Sequence, residues 1–205
     1  MSTFERDAWL TAAMFFSLFI ILGLAVTRWP VIRLDGIADA LRGRGVRYAW
    51  IFTLSGYGST LTGILTVLAL GALLAHAFLR DVIYLAVSQT LSQGAVYALK
   101  SRFTRARPGA WLKRKESGYS YPSGHACTAV VFYGTAAVLF STSSLPPPLR
   151  STLGMIVGLW GFGIVWSRLV LSAHFFTDVL GGLLLGVSWV FAGIALARHI
   201  GLPIR

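Results

Sequence analysis

Residues 151–197 read STLGMIVGLWGFGIVWSRLVLSAHFFTDVLGGLLLGVSWVFAGIALA. Two apolar runs, 151–171 and 175–197, each reach the ~20 residues that a membrane-spanning helix needs. At their joint sit Ser167, Arg168, His174 and Asp178. An acid just inside an apolar span is costly without a partner, and His174 is the obvious one. The two residues are four apart, so they share a helix face if the second helix begins that early. This stretch predicts a membrane-helix protein and marks one joint between spans as the place to look for chemistry.

Working outward, four more runs approach spanning length, at about 8–27, 57–78, 82–99 and 123–141. The chain has 205 residues, 56% hydrophobic and only 12% charged, with a mean hydropathy of +0.70. A soluble core cannot hide that much apolar surface, so lipid must be part of the solvent. The expectation is an all-α, six-helix transmembrane bundle, one domain over residues 1–205. The first run follows Glu5 and Asp7 rather than a basic n-region, so it is read as an uncleaved span. Cys127 is the only cysteine, which excludes intrachain disulfides and reads as a small buried apolar residue.

Residues 29–47 differ from the spans. Val31, Leu34, Ile37, Ala38 and Leu41 recur at helical spacing, with Arg33, Asp35, Asp39 and Arg42 between them. That predicts an interfacial amphipathic helix between the first two spans, ended by Gly43 and Gly45. Residues 100–122 form the longest polar stretch, a basic loop with Glu116 as its one acid. There Arg102, Arg105, Lys113, Arg114 and Lys115 read as headgroup anchors. Residues 142–149, with three prolines, read as a stiff turn. Ser88, Gln89, Ser92 and Gln93 give the third span a polar face that should meet other helices. Gly154/Gly158 and Gly182/Gly186 permit close helix approach.

Spans joined by short links return the chain alternately to the two membrane faces. The 100–122 loop, the 168–174 joint and the 29–47 segment therefore share one face. Lys100, Arg107 and Arg168 bring three cations there, and the two arginines are planar forks suited to phosphate oxygens. Ser123 and Gly124 open the fourth span, where free backbone N–H groups and the helix dipole favour an anion. A carboxylate on one imidazole nitrogen of His174 fixes the tautomer and leaves the other free to attack. His125 can protonate a departing oxygen. His76 and His199 have no polar neighbour in sequence and read as structural. Two histidines and Asp178 could also ligate a divalent ion, but three adjacent cations oppose it, so no metal or cofactor is expected. The basic excess, 18 against 7, fits an anionic substrate or lipid. It does not fit nucleic acid, since no soluble domain is left to present a groove.

Lys100, six residues, Arg107-Pro108; Pro122-Ser123-Gly124-His125; Ser167-Arg168, five residues, His174, three residues, Asp178. This tripartite pattern resembles the signature of the type 2 phosphatidic acid phosphatase and vanadium haloperoxidase superfamily, without a departure at any key position. The six apolar runs resemble its membrane branch. The resemblance implies a metal-independent lipid phosphate or diphosphate phosphatase with a phosphohistidine on His174. Asp178 would orient His174, and His125 would be the general acid. Lys100, Arg107, Ser123, Gly124 and Arg168 would hold the phosphoryl oxygens, with a membrane lipid phosphate as substrate among bilayer lipids.

The resemblance also implies a bacterial cytoplasmic membrane with the site on its extracytoplasmic face. The charges point the other way. Only Arg6, Arg80, Arg150, Arg198 and Arg205 lie on the face opposite the motifs, and the remaining basic residues gather on the motif face. Charges recruited for an anionic substrate are not free topology signals. There are three rivals: a lipid-to-lipid phosphotransferase with the same phosphohistidine, a vanadium-dependent haloperoxidase that would hold vanadate with the same residues, and a non-catalytic channel or transporter, at which only the polar face of the third span hints.

Overall fold

The computed structural model describes residues 1–109, 113 and 116–202. All regular structure among them is helical. Helix α1 spans Thr3–Arg28, with Ser2 Oγ accepting from Glu5 N at 3.2 Å to satisfy one orphan N–H of the first turn. It stops before Trp29-Pro30, because proline lacks the N–H and pushes its predecessor out of helical geometry. Helix α5 (Leu79–Phe103) ends where Thr104 turns left-handed at φ 47°. The fourth run is one continuous span, Gly124–Ser141: α6 (Gly124–Thr128), a π turn (Ala129–Gly134) and α7 (Thr135–Ser141). Helix α8 (Pro147–Val170) opens on Pro147 and Pro148, so two of the three prolines start a helix rather than fill a turn. Helix α9 spans Phe176–His199.

The region between the first and third runs departs from expectation. The amphipathic helix shrinks to a 3₁₀ turn (Arg33–Asp35) and α2 (Gly36–Leu41). Gly43 and Gly45 then reverse the chain at φ 76° and 79°, a conformation that glycine adopts without steric cost. Residues 46 and 47 join a stretch assigned to no element and form α3 (Val46–Ser55), which meets α4 (Gly58–Leu74) at a bend of 57°. Among the described residues, five helical spans are long and apolar enough to cross a membrane, and the bent α3–α4 pair makes a sixth if it counts as one span. The protein is an integral membrane protein, with Leu10, Ile21, Leu24, Val67, Leu159 and Phe162 among the apolar side chains on its outer surface.

Helix α1 packs along α9, α3 and α7 pack on α8, and α6 packs on α9. A Cβ at Gly182 would collide with the Ser123 carbonyl and the Ala126 side chain, and one at Gly186 with Val130. The small residues thus set the α6–α9 approach. The polar face of α5 meets the same span: Gln89 Nε2 donates to Thr128 Oγ1 at 2.8 Å, and Gln93 Nε2 to Thr128 Oγ1 at 3.2 Å. The C-terminal ends of α5 and α8 and the N-terminal ends of α6 and α9 lie together, so all three motif clusters reach one face.

Candidate active site

His174 sits in the short link between α8 and α9, almost fully buried. Asp178 is in the first turn of α9, where its Oδ2 accepts from Phe175 N at 2.9 Å. This local bond caps the helix and aims the carboxylate back at the link. His174 Nδ1 lies 3.5 Å from Asp178 Oδ2, and its Nε2 lies 3.2 Å from Arg107 Nη1. Ser120 bridges the pair: its hydroxyl donates to Asp178 Oδ2 and its oxygen lies 3.4 Å from His174 Nδ1. The proton therefore belongs on Nδ1, toward the acceptors, and the lone pair on Nε2, toward the cations. Burial first, then the charges of Arg107, Lys100 and Arg168, hold the His174 pKa well below its ordinary value. The imidazole is neutral at neutral pH.

Arg107 faces that lone pair, and Lys100 and Arg168 lie near enough to act on the ring through their charge. Arg107 is fixed by carbonyls: Nε donates to Gly118 O at 3.1 Å, Nη2 to Ser117 O at 3.2 Å and Nη1 to Ala173 O at 3.0 Å. Lys100 Nζ, at the end of α5, donates to Tyr119 O at 2.6 Å. Carbonyls orient these groups without cancelling their charge, so the positive potential stays available to an anion. Arg168, fully buried, donates through Nη1 to Thr53 Oγ1 at 2.9 Å. Its Nη2 pairs with Glu116 Oε1 at 2.9 Å, and its Nε has no hydrogen-bond partner among the described residues. Burial pushes Glu116 up, but the Arg168 charge and the hydrogen bonds from Arg168 and Tyr57 outweigh it, holding the carboxyl below its ordinary value.

Ser123 caps α6 and ties it to α9: its N–H donates to the Asp178 carbonyl at 2.9 Å, and its Oγ accepts from Ala126 N at 3.4 Å. Gly124 follows in the first turn, beside Gln93. His125 Nε2 lies 3.2 Å from the Thr53 carbonyl, which can only accept, so the proton is on Nε2 and Nδ1 is the variable nitrogen. Its ring packs against Gly56 and edge-on to Tyr57. All eight residues singled out in the sequence thus converge. His174, Asp178 and Arg107 meet directly, while Arg168 and His125 are linked through Thr53.

The sequence reading missed four residues. Arg105 is no headgroup anchor: its side chain is buried and pairs with both Asp35 and Asp178. Asp35 is not on a solvated face, because that pairing draws it inside. Ser120 and Thr53 carried no signal beyond being small and polar. Arg102 and Lys113 are exposed, as expected of anchors, and Arg114 and Lys115 lie outside the described residues. His199 has a partner 194 positions away, Glu5 Oε1 at 3.0 Å. Among the described residues, no group of three or more His, Cys, Asp or Glu is placed to hold a metal ion.

The sequence profile of the PAP2 superfamily matches residues 81–200, from the start of α5 to just beyond α9 and across all three clusters. The chain belongs to the PAP2 superfamily. A phosphatidylglycerophosphatase B of Bacillus subtilis (strain 168) is 36% identical over 95 residues, 45% of this PAP2 chain and 46% of the relative. The Escherichia coli (strain K12) protein of that name is 30% identical over 93 residues, 44% of this chain and 34% of the relative. The match thus spans about half the length of one relative and a third of the other. The crystal structure of a transmembrane PAP2 type phosphatidylglycerolphosphate phosphatase from Bacillus subtilis superposes with a TM-score of 0.76 at 23% identity. The superposition covers 93% of this chain and 97% of that one, so the two share a fold.

Proposed function

We propose that this PAP2 chain is a membrane lipid phosphate phosphatase that works through a phosphohistidine on His174. The observation that carries the reading is the split environment of one ring, with Nδ1 against Asp178 and Nε2 against Arg107. A lone pair facing a cage of fixed cations suits attack on a phosphorus whose oxygens those cations hold. Nε2 bonds to phosphorus as the bond to the lipid oxygen breaks. His125, protonated on Nδ1, delivers that proton to the leaving alcohol. Water then attacks the phosphohistidine, His125 Nδ1 takes up its proton, the P–N bond breaks and inorganic phosphate leaves. Lys100, Arg107, Arg168 and the first-turn N–H groups behind Ser123 and Gly124 hold the phosphoryl oxygens throughout.

The site lies at the ends of the spans, so a tail can stay in the bilayer while its phosphate enters. The names of the curated relatives favour phosphatidylglycerophosphate as substrate. We place the site on the extracytoplasmic face. The reading is tested by phosphate release from a panel of lipid phosphates in detergent with chelator. Release without divalent metal, blocked by vanadate, is expected. Dependence on added magnesium would contradict it, and phosphate appearing on an acceptor lipid would make the enzyme a transferase. Orientation is tested by labelling a cysteine placed at the exposed Lys113 in intact cells after Cys127→Ser. A membrane-impermeant reagent should react.

A further inference from the structure

Arg105 lies between α5 and α6 with a side chain only 1% exposed, and all five of its N–H groups are committed. Nη1 donates to Asp178 Oδ1 at 2.6 Å and to Thr177 Oγ1 at 2.7 Å. Nη2 donates to Asp35 Oδ2 at 2.7 Å and to Pro30 O at 2.6 Å, and Nε donates to Pro30 O at 3.0 Å. The guanidinium also covers the Phe175 ring, 4.2 Å from its centroid. Asp35 in turn accepts through Oδ1 from Thr177 N at 3.1 Å and Thr177 Oγ1 at 2.7 Å. A carboxylate from the interfacial segment therefore caps the first turn of α9, the turn that carries Asp178.

We propose that Arg105, clamped by Asp35, is the positioning residue that holds Asp178 against His174; this rests on reading His174 as the phosphoryl acceptor. Arg105 occupies Oδ1, so Asp178 cannot rotate about its Cβ–Cγ bond and keeps Oδ2 for Ser120 and the imidazole. Asp178 Oδ2, held 3.5 Å from Nδ1, faces the positive charge that His174 gains on phosphorylation. Arg105 has no donor left for substrate, which separates it from Arg107 and Arg168. A lysine at 105 keeps the charge but cannot span both carboxylates.

The test measures kcat, KM and vanadate inhibition on a short-chain phosphatidate in detergent, with thermal unfolding as the control for folding. Arg105→Gln should lower kcat about 100-fold, while Arg105→Lys and Asp35→Asn lower it about tenfold. KM and vanadate inhibition should stay within about twofold, because the phosphoryl cage is untouched. A folded Arg105 or Asp35 variant with full kcat overturns the proposal, as does a kcat loss matched by equally weakened vanadate inhibition. If Arg105→Gln fails to fold, Arg105→Lys and Asp35→Asn decide, and failure of all three makes Arg105 a structural staple only. Turnover by His174→Ala sinks the underlying reading instead. Full kcat in Arg105→Gln beside an inactive His174→Ala sinks only the clamp.

Discussion

Glu116 occupies the fork of Arg168, with Oε1 2.9 Å from Nη2 and 3.0 Å from the Tyr57 hydroxyl. A carboxylate is thus bound where the proposed mechanism puts a phosphoryl oxygen, and an incoming phosphate must displace it. Glu116→Gln weakens that competition. Vanadate should inhibit the variant at about fivefold lower concentration, equivalent to ~1 kcal/mol for a partly exposed pair. Inhibition curves on wild type and variant check this. Unchanged inhibition would mean that Glu116 does not compete with the anion.

Thr53 joins the two halves of the site. Its Oγ1 accepts from Arg168 and bonds to Ser167 Oγ at 2.7 Å, while its carbonyl holds His125. Thr53→Val keeps the shape and the carbonyl but leaves an Arg168 N–H without its acceptor and removes the donor to Ser167 Oγ, whose own hydroxyl still donates to Ile164 O at 2.6 Å. The variant should lose about 1–3 kcal/mol of stability and about tenfold in kcat/KM. Thermal unfolding and initial rates measure the two effects.

Gly56 at the α3–α4 bend has an ordinary backbone conformation, φ −91°, so its lack of a side chain is not a matter of backbone strain. A Cβ there would press into the His125 ring. Gly56→Ala should displace the proposed general acid and lower kcat by about tenfold or more, with KM nearly unchanged. Steady-state kinetics beside thermal unfolding distinguishes this from misfolding.

Much of the site was legible because chemistry is carried by residue types that an apolar span excludes. Lys100, Arg107, His125, Arg168, His174 and Asp178 stand out at helix ends, and crossing parity alone brings them to one face. Arg105 was not legible. It lies in a run of basic residues that read as headgroup anchors, and only the fold turns it inward to two acids. Asp35 was hidden by an amphipathic pattern that assigns charges to the solvated side. Thr53 sits in α3, in a stretch that the apolar runs leave unassigned, and the break from α4 falls at Gly56 to Gly58, where a Cβ on Gly56 would meet the His125 ring. The spans were easier, since length and hydropathy suffice for them, whereas neither of these reports the 57° bend between α3 and α4.

His174 should remain neutral well below the ordinary imidazole range, because burial and the charges of Arg107, Lys100 and Arg168 disfavour its protonation. The folded state binds this proton less readily than the unfolded chain does. The stability that His174 contributes is therefore full above about pH 6.5 and declines as pH falls below that value. Nitrogen-15 NMR of histidine-labelled protein, assigned with His174→Asn, should show a neutral ring at pH 6. Titration at the ordinary imidazole value would mean that the ring is not enclosed by cations.

The most direct measurement is trapping of the covalent intermediate. Enzyme mixed with lipid phosphate carrying labelled phosphorus, quenched in alkali and digested, should yield an acid-labile label on the peptide containing His174. His174→Ala should give neither label nor turnover, while His76→Asn, which tolerates the local φ of 50°, should give both. Label on any other residue, or sustained phosphate release by His174→Ala, would contradict His174 as the phosphoryl acceptor.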